Sequence, residues 1–203
     1  MSASPVDLER LCACLSSEPE TSDAAAVLED GAEGGALTPA AVLFPIVLRA
    51  EAPTVMLTQR TAHLRDHAGQ ISFPGGRIEP EDPSVLHAAL REAEEEVGLA
   101  PEQVRVVGYL PEYRTSTGFS VTPVVGLVTP PFSVRPDPFE VAEVFEVPLS
   151  FLLDPANHQR HEVHWRGRLR QYYAMPYGDY FIWGATAGMI VSLSRLLASS
   201  SAS

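Results

Sequence analysis

Three glutamates, Glu92, Glu95 and Glu96, are spaced so that their carboxylates could act together. Successive residues of an α-helix turn by about 100°, which places Glu95 and Glu96 within about 60° on either side of Glu92. Like charges at this spacing destabilise a helix, and the neighbouring cation is Arg91. Converging carboxylate oxygens suit a hard divalent cation such as Mg²⁺ or Mn²⁺. The spacing therefore indicates a metal site, and a solvated acidic face is the alternative for this motif alone.

The residues that flank the glutamates favour a metal site over a solvated acidic face. The loop 73–76 ends in two adjacent glycines, which allow a backbone to approach a metal or a phosphate closely. Asp82 followed by Pro83 predicts the start of the helix, and Gly98 predicts its end. The acidic face borders an apolar stripe at helical spacing that can pack under a sheet: Leu86, Leu90, Ala93 and Val97. Together these features predict a metal-binding helix placed against the core.

Apolar periodicity along the rest of the chain predicts one globular domain. Strands are predicted at 41–48, 54–59, 104–109, 121–128, 143–147, 161–165 and 169–176, and helices at 6–15 and 184–197. The first two strands are expected to form a hairpin. We expect an α/β (α+β) fold in which a mixed β-sheet lies between helices. Residues 1–36 are interpreted as an N-terminal helix and flexible linker, and residues 37–203 as the main domain.

The charge balance limits the classes of partner. The chain carries 14 Lys and Arg residues against 26 Asp and Glu residues, a formal net charge of −12. Such a charge repels nucleic acid and anionic membranes, so neither is an expected partner. No apolar run reaches the length of about 20 residues that a membrane span needs, and a cytoplasmic location is expected. A polyanionic small-molecule substrate would need a metal or a few placed arginines. A monomer and a homodimer are both left open.

The aromatic residues near the C-terminus admit two interpretations. Tyr172, Tyr173, Tyr177, Tyr180 and Trp183 could line a substrate pocket or pack in the core. Packing in the core is the favoured prediction, because isolated aromatic residues are mostly buried as part of a core.

The stretch from Gly76 to Leu99 resembles the signature of the Nudix hydrolases. Its core is Arg91-Glu92-Ala93-Glu94-Glu95-Glu96-Val97-Gly98-Leu99. The chain departs from the signature by placing Asp82 where a glutamate belongs and by leaving eight residues, instead of seven, before Arg91. The resemblance implies a Nudix-type mixed sheet sandwiched between helices and the hydrolysis of a pyrophosphate bond.

The resemblance also implies roles for individual residues. Glu92, Glu95 and Glu96 would be metal ligands, and the Gly75 carbonyl would add a further ligand. Arg91 would orient the glutamates by hydrogen bonding. The general base of many relatives comes from a loop outside the signature. Within this chain the candidate base is Glu140, preferred over two other acidic residues, Glu143 and Glu146. A surface carboxylate in a polar loop is the equally open alternative for Glu140.

A second segment, from Leu57 to Gly76, resembles the coenzyme A pyrophosphatase branch of that family. This implies hydrolysis of coenzyme A or acyl-CoA to 4′-phosphopantetheine, or its acyl form, and adenosine 3′,5′-bisphosphate. Four residues could contact the diphosphate or the 3′-phosphate, although a structural role is equally open for each: Arg60, Arg65, His67 and Gln70. The alternatives are a pyrophosphatase for another nucleoside diphosphate derivative, such as ADP-ribose or a dinucleotide, and a catalytically silent nucleotide-binding module.

Overall fold

A nine-stranded mixed sheet forms the centre of the protein. The computed structural model describes residues 6–20, 26–32, 36–63, 69–165 and 167–200. The strands are β1 Val27–Leu28, β2 Thr38–Val47, β3 Thr54–Arg60, β4 Ile71–Ser72, β5 Gly75–Arg77, β6 Val104–Tyr109, β7 Tyr113–Arg114, β8 Phe119–Val128 and β9 Val141–Pro148. Their order is β1-β7-β8-β2-β3-β4, and β5 pairs with β2, β6 with β8 and β9 with β3.

A smaller antiparallel sheet and four α-helices complete the fold in the part of the chain that the structure describes. The sheet has the order β10 Gln159–Trp165, β11 Arg168–Tyr177 and β12 Tyr180–Trp183. The helices are α1 Leu8–Ala13, α2 Val85–Val97, α3 Leu149–Leu153 and α4 Gly184–Ser199, with short 3₁₀ helices at Pro101–Gln103 and Pro155–Asn157. Within the described residues, no helix is both long enough and apolar enough to cross a membrane.

The central sheet is covered on both faces, as the side chains of β2 show. Alternate residues of a strand point to opposite faces, and those of β2 join two separate cores. Phe44 and Ile46 pack with Ile190 of α4, Leu11 of α1 and Leu149 of α3. On the opposite face, two residues of β2 pack with two residues of α2: Leu43, Val47, Ala93 and Val97. The predicted mixed sheet between helices is therefore confirmed.

The predicted strands are all present, but their pairing was only partly predictable. The expected hairpin of β2 and β3 is formed by two residue pairs, Ile46 with Val55 and Val47 with Thr54. The main partner of β2 is instead the parallel strand β8, paired from Thr38 with Phe119 to Val47 with Val128. A parallel pair needs a long crossover connection, so local sequence patterns carry little information about it.

The described parts of the N-terminal region are held against the main body. Leu11 of α1 is fully buried in the core. Val27 pairs with Tyr113, which adds β1 to the edge of the central sheet. Leu11 belongs to the helix predicted at 6–15, and within the segment interpreted as a linker the structure describes the short strand β1. The domain boundary after residue 36 stays a prediction.

The C-terminal aromatic residues do not all pack in the core. Tyr180 stacks on Phe145 with ring centroids 3.7 Å apart, and Tyr177 packs against the core. Trp183, by contrast, is 40% exposed and contacts Tyr172 edge-on. The prediction of core packing is therefore wrong for Trp183, which ends β12 as an exposed side chain.

Candidate active site

The helix that carries the glutamates has well-defined ends. Its N-cap is Ser84, whose extended backbone (φ −160°, ψ 163°) lets its hydroxyl accept a hydrogen bond from the His87 N–H. The predicted N-cap at Asp82 is wrong, because that carboxylate has other partners and serine is an equally good cap. Gly98 ends the helix in the left-handed conformation (φ 69°), as predicted.

Asp82 instead anchors Arg91. The Arg91 Nε donates to Asp82 Oδ1 at 3.0 Å, and Arg91 Nη2 donates to Oδ2 at 2.9 Å. The Glu79 N–H also donates to Oδ2, at 2.8 Å. The side chain of Asp82 is only 2% exposed, and its hydrogen bonds with Arg91 hold its pKa well below the usual range. A two-point contact of this kind fixes the plane of the guanidinium group.

The remaining side of the guanidinium group faces two glutamates of α2. Arg91 Nη1 donates to Glu92 Oε1 at 3.0 Å and to Glu95 Oε2 at 2.9 Å. Glu92 is half-buried, whereas the side chain of Glu95 is 61% exposed. Arg91 therefore sets the orientation of two of the three carboxylates while Asp82 holds it in place.

Glu96 lies on the inner edge of the acidic face. Its side chain is 5% exposed, Arg60 Nη1 lies 3.6 Å from its Oε1, and the Gly75 N–H donates to its Oε2 at 3.3 Å. Burial raises the pKa of Glu96 to about 8, although Arg60 and the Gly75 N–H act in the opposite direction. The guanidinium group of Arg60 therefore offsets only part of the cost of burying the charge of Glu96. A further cation would stabilise the charged form of this carboxylate.

Two glycines allow the loop before α2 to touch the acidic face. Strand β5 pairs with β2 so that Gly75 lies opposite Val42 and Gly76 opposite Ala41. A Cβ atom on Gly76 would overlap the carboxylate of Glu92, and one on Gly75 would lie 2.5 Å from the Ala41 carbonyl oxygen. Close backbone contact therefore requires glycine at position 75, whereas a side chain at position 76 would displace the carboxylate of Glu92.

The loop that carries Glu140 is tied to the C-terminal end of α2. The Asp137 N–H donates to the Glu96 carbonyl at 2.9 Å, and the Arg135 N–H donates to the Val97 carbonyl at 2.7 Å. On the other side, the Thr61 N–H donates to the Glu140 carbonyl at 2.9 Å. After burial, which is the largest cause, the charge of Glu140 also raises the pKa of Glu96 and of Glu92. Glu140 is thus electrostatically coupled to the buried glutamates.

The two other acidic candidates for the general base have partners of their own. Glu143 accepts a hydrogen bond of 2.7 Å from the Tyr180 hydroxyl. Glu146 accepts a hydrogen bond of 3.0 Å from Arg49 Nε, and its hydrogen bonds with Arg49 lower its pKa. These interactions favour Glu140 as the carboxylate that is available near the acidic face.

The predicted phosphate contacts are only partly described. Arg65 and His67 lie outside the described residues. Arg60 ends β3, and its backbone N–H donates to the Gln70 carbonyl at 3.0 Å. The buried Nε of Arg60 has no hydrogen-bond partner among the described residues. Arg60 therefore keeps a donor that a bound anion could use.

The three glutamates do not converge on one point in the arrangement described. Across the described ranges, no three His, Cys, Asp or Glu side chains are grouped closely enough to hold a metal ion. Arg91 holds Glu92 and Glu95, while Glu96 turns towards Gly75. The donor set nevertheless fits a hard divalent cation, since it consists of carboxylate oxygens beside a buried carboxylate that needs further positive charge. Coordination by all three would require their side chains to turn.

Asp82 is the functional residue that sequence reasoning missed. The sequence predicted Asp82 as the start of the helix and did not predict its pairing with Arg91. The pairing could have been predicted from the residue types, since an acidic residue one turn before a helix can pair with an arginine of that helix. The extra residue between Asp82 and Arg91 obscured this relation.

Comparisons with known proteins agree with this geometry. A family model described as the NUDIX domain matches residues 37–166. An uncharacterized Nudix hydrolase, NudL of Citrobacter koseri, is 48% identical over 155 residues, which cover 76% of this chain and 80% of the relative. NudL of an Escherichia coli strain is 47% identical over 155 residues, with the same shares. The solved Nudix hydrolase RenU of M. smegmatis aligns with a TM-score of 0.54 and 21% identity, covering 86% of this chain and 94% of that chain. This last likeness shows the fold alone.

Proposed function

The chain belongs to the Nudix hydrolase family, and from this premise we propose that it hydrolyses the pyrophosphate bond of coenzyme A or acyl-CoA with the help of Mg²⁺ or Mn²⁺. The products would be 4′-phosphopantetheine, or its acyl form, and adenosine 3′,5′-bisphosphate. The observation that carries the proposal is the buried carboxylate of Glu96. It lies beside the Gly75-Gly76 loop, on the same helix as two carboxylates that Arg91 orients.

The metal would be held by Glu92, Glu95 and Glu96, together with the carbonyl of Gly75. When bound, a divalent cation polarises phosphate oxygens and lowers the pKa of an attacking water. It would also supply the positive charge that the buried carboxylate of Glu96 needs. This accounts for the acceptance of an anionic substrate by a chain with a net charge of −12.

Other residues of the chain position the reacting groups. Asp82 holds Arg91, which in turn holds Glu92 and Glu95 beside Glu96. Glu140 would accept the proton of the attacking water, because it is electrostatically coupled to the acidic face and the carboxylates that compete with it have other partners. Arg60 would bind a phosphate oxygen through its unused Nε.

The choice of coenzyme A rests on the segment 57–76. Its resemblance to the coenzyme A pyrophosphatases includes Arg60 and the Gly75-Gly76 loop, both of which contact the acidic face. A substrate with an additional 3′-phosphate would use further cationic side chains, and Arg65 belongs to this segment. The segment 57–76 therefore supports the proposed choice of substrate, while the three glutamates support the proposed type of reaction.

A substrate panel tests the proposal. Purified protein is incubated with Mg²⁺ or Mn²⁺ and coenzyme A, acetyl-CoA, ADP-ribose or a dinucleotide, and the products are identified by mass spectrometry. The highest kcat/KM is expected for a coenzyme A species, and EDTA should abolish turnover. Faster hydrolysis of ADP-ribose would contradict the substrate. Binding of these compounds without hydrolysis of any of them would identify a silent nucleotide-binding module.

The variant Glu95→Gln tests the proposed metal ligands directly. It removes an exposed carboxylate that the proposal assigns to the metal, and turnover should fall by orders of magnitude without loss of folding. Turnover equal to that of the wild-type chain would contradict the assigned metal role.

A further inference from the structure

A cavity lies away from the acidic helix. It has a volume of about 510 Å³ and is lined by residues of β1, β11 and α4, among others. The helix α4 packs on one core through Ile190 and Leu193, whereas α2 packs on the other core through Ala93 and Val97. The central sheet therefore separates this cavity from the glutamates.

Two arginines converge at one wall of the cavity. Arg160 donates to the Tyr173 hydroxyl oxygen from Nε at 3.2 Å and from Nη2 at 3.1 Å. Arg195, which belongs to α4, donates to the same oxygen from Nη2 at 2.6 Å. Both guanidinium groups also lie over the Tyr173 ring, with their carbons 5.4 Å and 5.6 Å from its centroid. Two positive charges thus meet at a single phenolic oxygen.

This arrangement leaves N–H donors that the described residues do not use, and because both arginines are exposed, a bound anion would replace water at these donors. A hydroxyl oxygen has two lone pairs, so it cannot fully satisfy three N–H donors. Each guanidinium group carries five N–H donors, and most of those on Arg160 and Arg195 have no partner among the described residues. The hydroxyl hydrogen of Tyr173 is a further donor. The cluster can therefore donate several hydrogen bonds to one oxyanion.

The acidic residues that line the cavity keep their negative charge but lie beyond ion-pair distance of the two arginines. Across the described residues, neither Arg160 nor Arg195 has a carboxylate oxygen within ion-pair distance. Two acidic residues also line the cavity, but each accepts a backbone N–H at 2.6 Å: Glu29 from Ser116 and Asp30 from Gln171. Both arginines are exposed, so solvent screens part of the repulsion between the two guanidinium groups, and a bound anion would offset the rest.

The geometry points to a binding site for a phosphorylated small molecule. A phosphate group would accept hydrogen bonds from Arg160, Arg195 and the Tyr173 hydroxyl, since guanidinium groups match phosphate geometry. The organic part of the ligand would contact the apolar wall of the cavity: Val27, Leu28, Pro111, Val191 and Leu196. An organic phosphate is therefore expected to bind more tightly than inorganic phosphate.

Calorimetric titration of the EDTA-treated protein at low ionic strength tests the site. The probes are phenyl phosphate, inorganic phosphate and phenol, which separate the contribution of the oxyanion from that of the apolar wall. Phenyl phosphate should bind saturably, and the two other probes should bind more weakly. The double variant Arg160→Gln, Arg195→Gln should weaken the binding of phenyl phosphate by at least about tenfold.

Two control variants separate this site from the acidic helix. Arg105→Gln removes an exposed arginine elsewhere and should leave the titration unchanged. Arg60→Gln should also leave it unchanged, which would show that the probe does not occupy the proposed active site. Tyr173→Phe keeps the ring, removes the hydroxyl and should weaken the binding of phenyl phosphate. This variant tests the site if the double variant folds poorly.

Some outcomes would overturn the inference. Equal binding of phenyl phosphate by the wild-type chain and by the well-folded double variant would do so. The absence of saturable binding at millimolar concentrations would also overturn it. The proposed hydrolysis is tested independently, because Arg160 and Arg195 lie on the other side of the sheet from the glutamates.

Discussion

Replacing Glu96 with glutamine should stabilise the protein at alkaline pH when no metal is present. Burial raises the pKa of Glu96 to about 8 from its ordinary value of 4.5. The folded state therefore holds a proton that the unfolded state releases. This contribution to stability is fully present below a pH of about 4.5 and is lost as the pH rises to about 8. The glutamine variant has no proton to lose at this position.

The size of the effect follows from the shift of the pKa. One pKa unit corresponds to about 1.4 kcal/mol, so a difference of about 3.5 units corresponds to at most about 5 kcal/mol above pH 8. Glu96→Gln should therefore be more stable than the wild-type chain at pH 8.5, by up to this amount. The two chains should differ much less at pH 5, since the glutamate is then protonated in the folded state.

Urea denaturation in EDTA at pH 5 and pH 8.5 measures this difference. The m value should be the same for both chains, so that the midpoints report stability. The control is Glu95→Gln, whose side chain is 61% exposed in the wild-type chain and whose replacement should change the pH profile little. Adding Mg²⁺ at pH 8.5 should then stabilise the wild-type chain more than Glu96→Gln. A glutamine variant less stable than the wild-type chain at pH 8.5 would refute the reasoning.

Three further predictions concern the residues around the acidic face. Asp82→Asn removes the charge of the carboxylate that holds Arg91. It should lower the free energy of unfolding in urea by about 1–3 kcal/mol and should also lower kcat/KM. Wild-type values of both quantities would contradict the anchoring role. Gly76→Ala places a methyl group against the Glu92 carboxylate and should weaken Mg²⁺ binding measured by calorimetry, with wild-type affinity as the contrary result. Glu140→Gln should lower kcat about 100-fold or more with Mg²⁺ affinity nearly unchanged; a loss of affinity instead would assign this residue to the metal.

The local features of the site were predictable because they depend on short-range geometry. The shared face of Glu92, Glu95 and Glu96 follows from the turn of a helix, and the stop at Gly98 follows from the left-handed conformation that glycine adopts easily. The choice between Asp82 and Ser84 as the N-cap was not predictable in the same way. Both residue types cap helices, and the distant Arg91 decides the outcome.

Features that join distant segments could not be predicted from local patterns. The parallel pairing of β2 with β8 brings together residues about 80 positions apart in sequence. The cluster of Arg160, Tyr173 and Arg195 depends on the packing of β10, β11 and α4. Each of these residues alone is an ordinary surface or core residue. Their chemistry arises only when the tertiary structure places them together.

Two backbone hydrogen bonds join the loop 129–140 to the end of α2. They divide this loop into two parts that differ in their tolerance of insertions. The amides of Arg135 and Asp137 bind the last carbonyls of the helix, and Thr61 holds Glu140 from the other side. Extra residues before Arg135 would enlarge a surface segment without displacing Glu140. An insertion between Asp137 and Glu140 would lengthen the short span between two fixed points. Loop grafting between related enzymes should therefore exchange the first part and preserve the second.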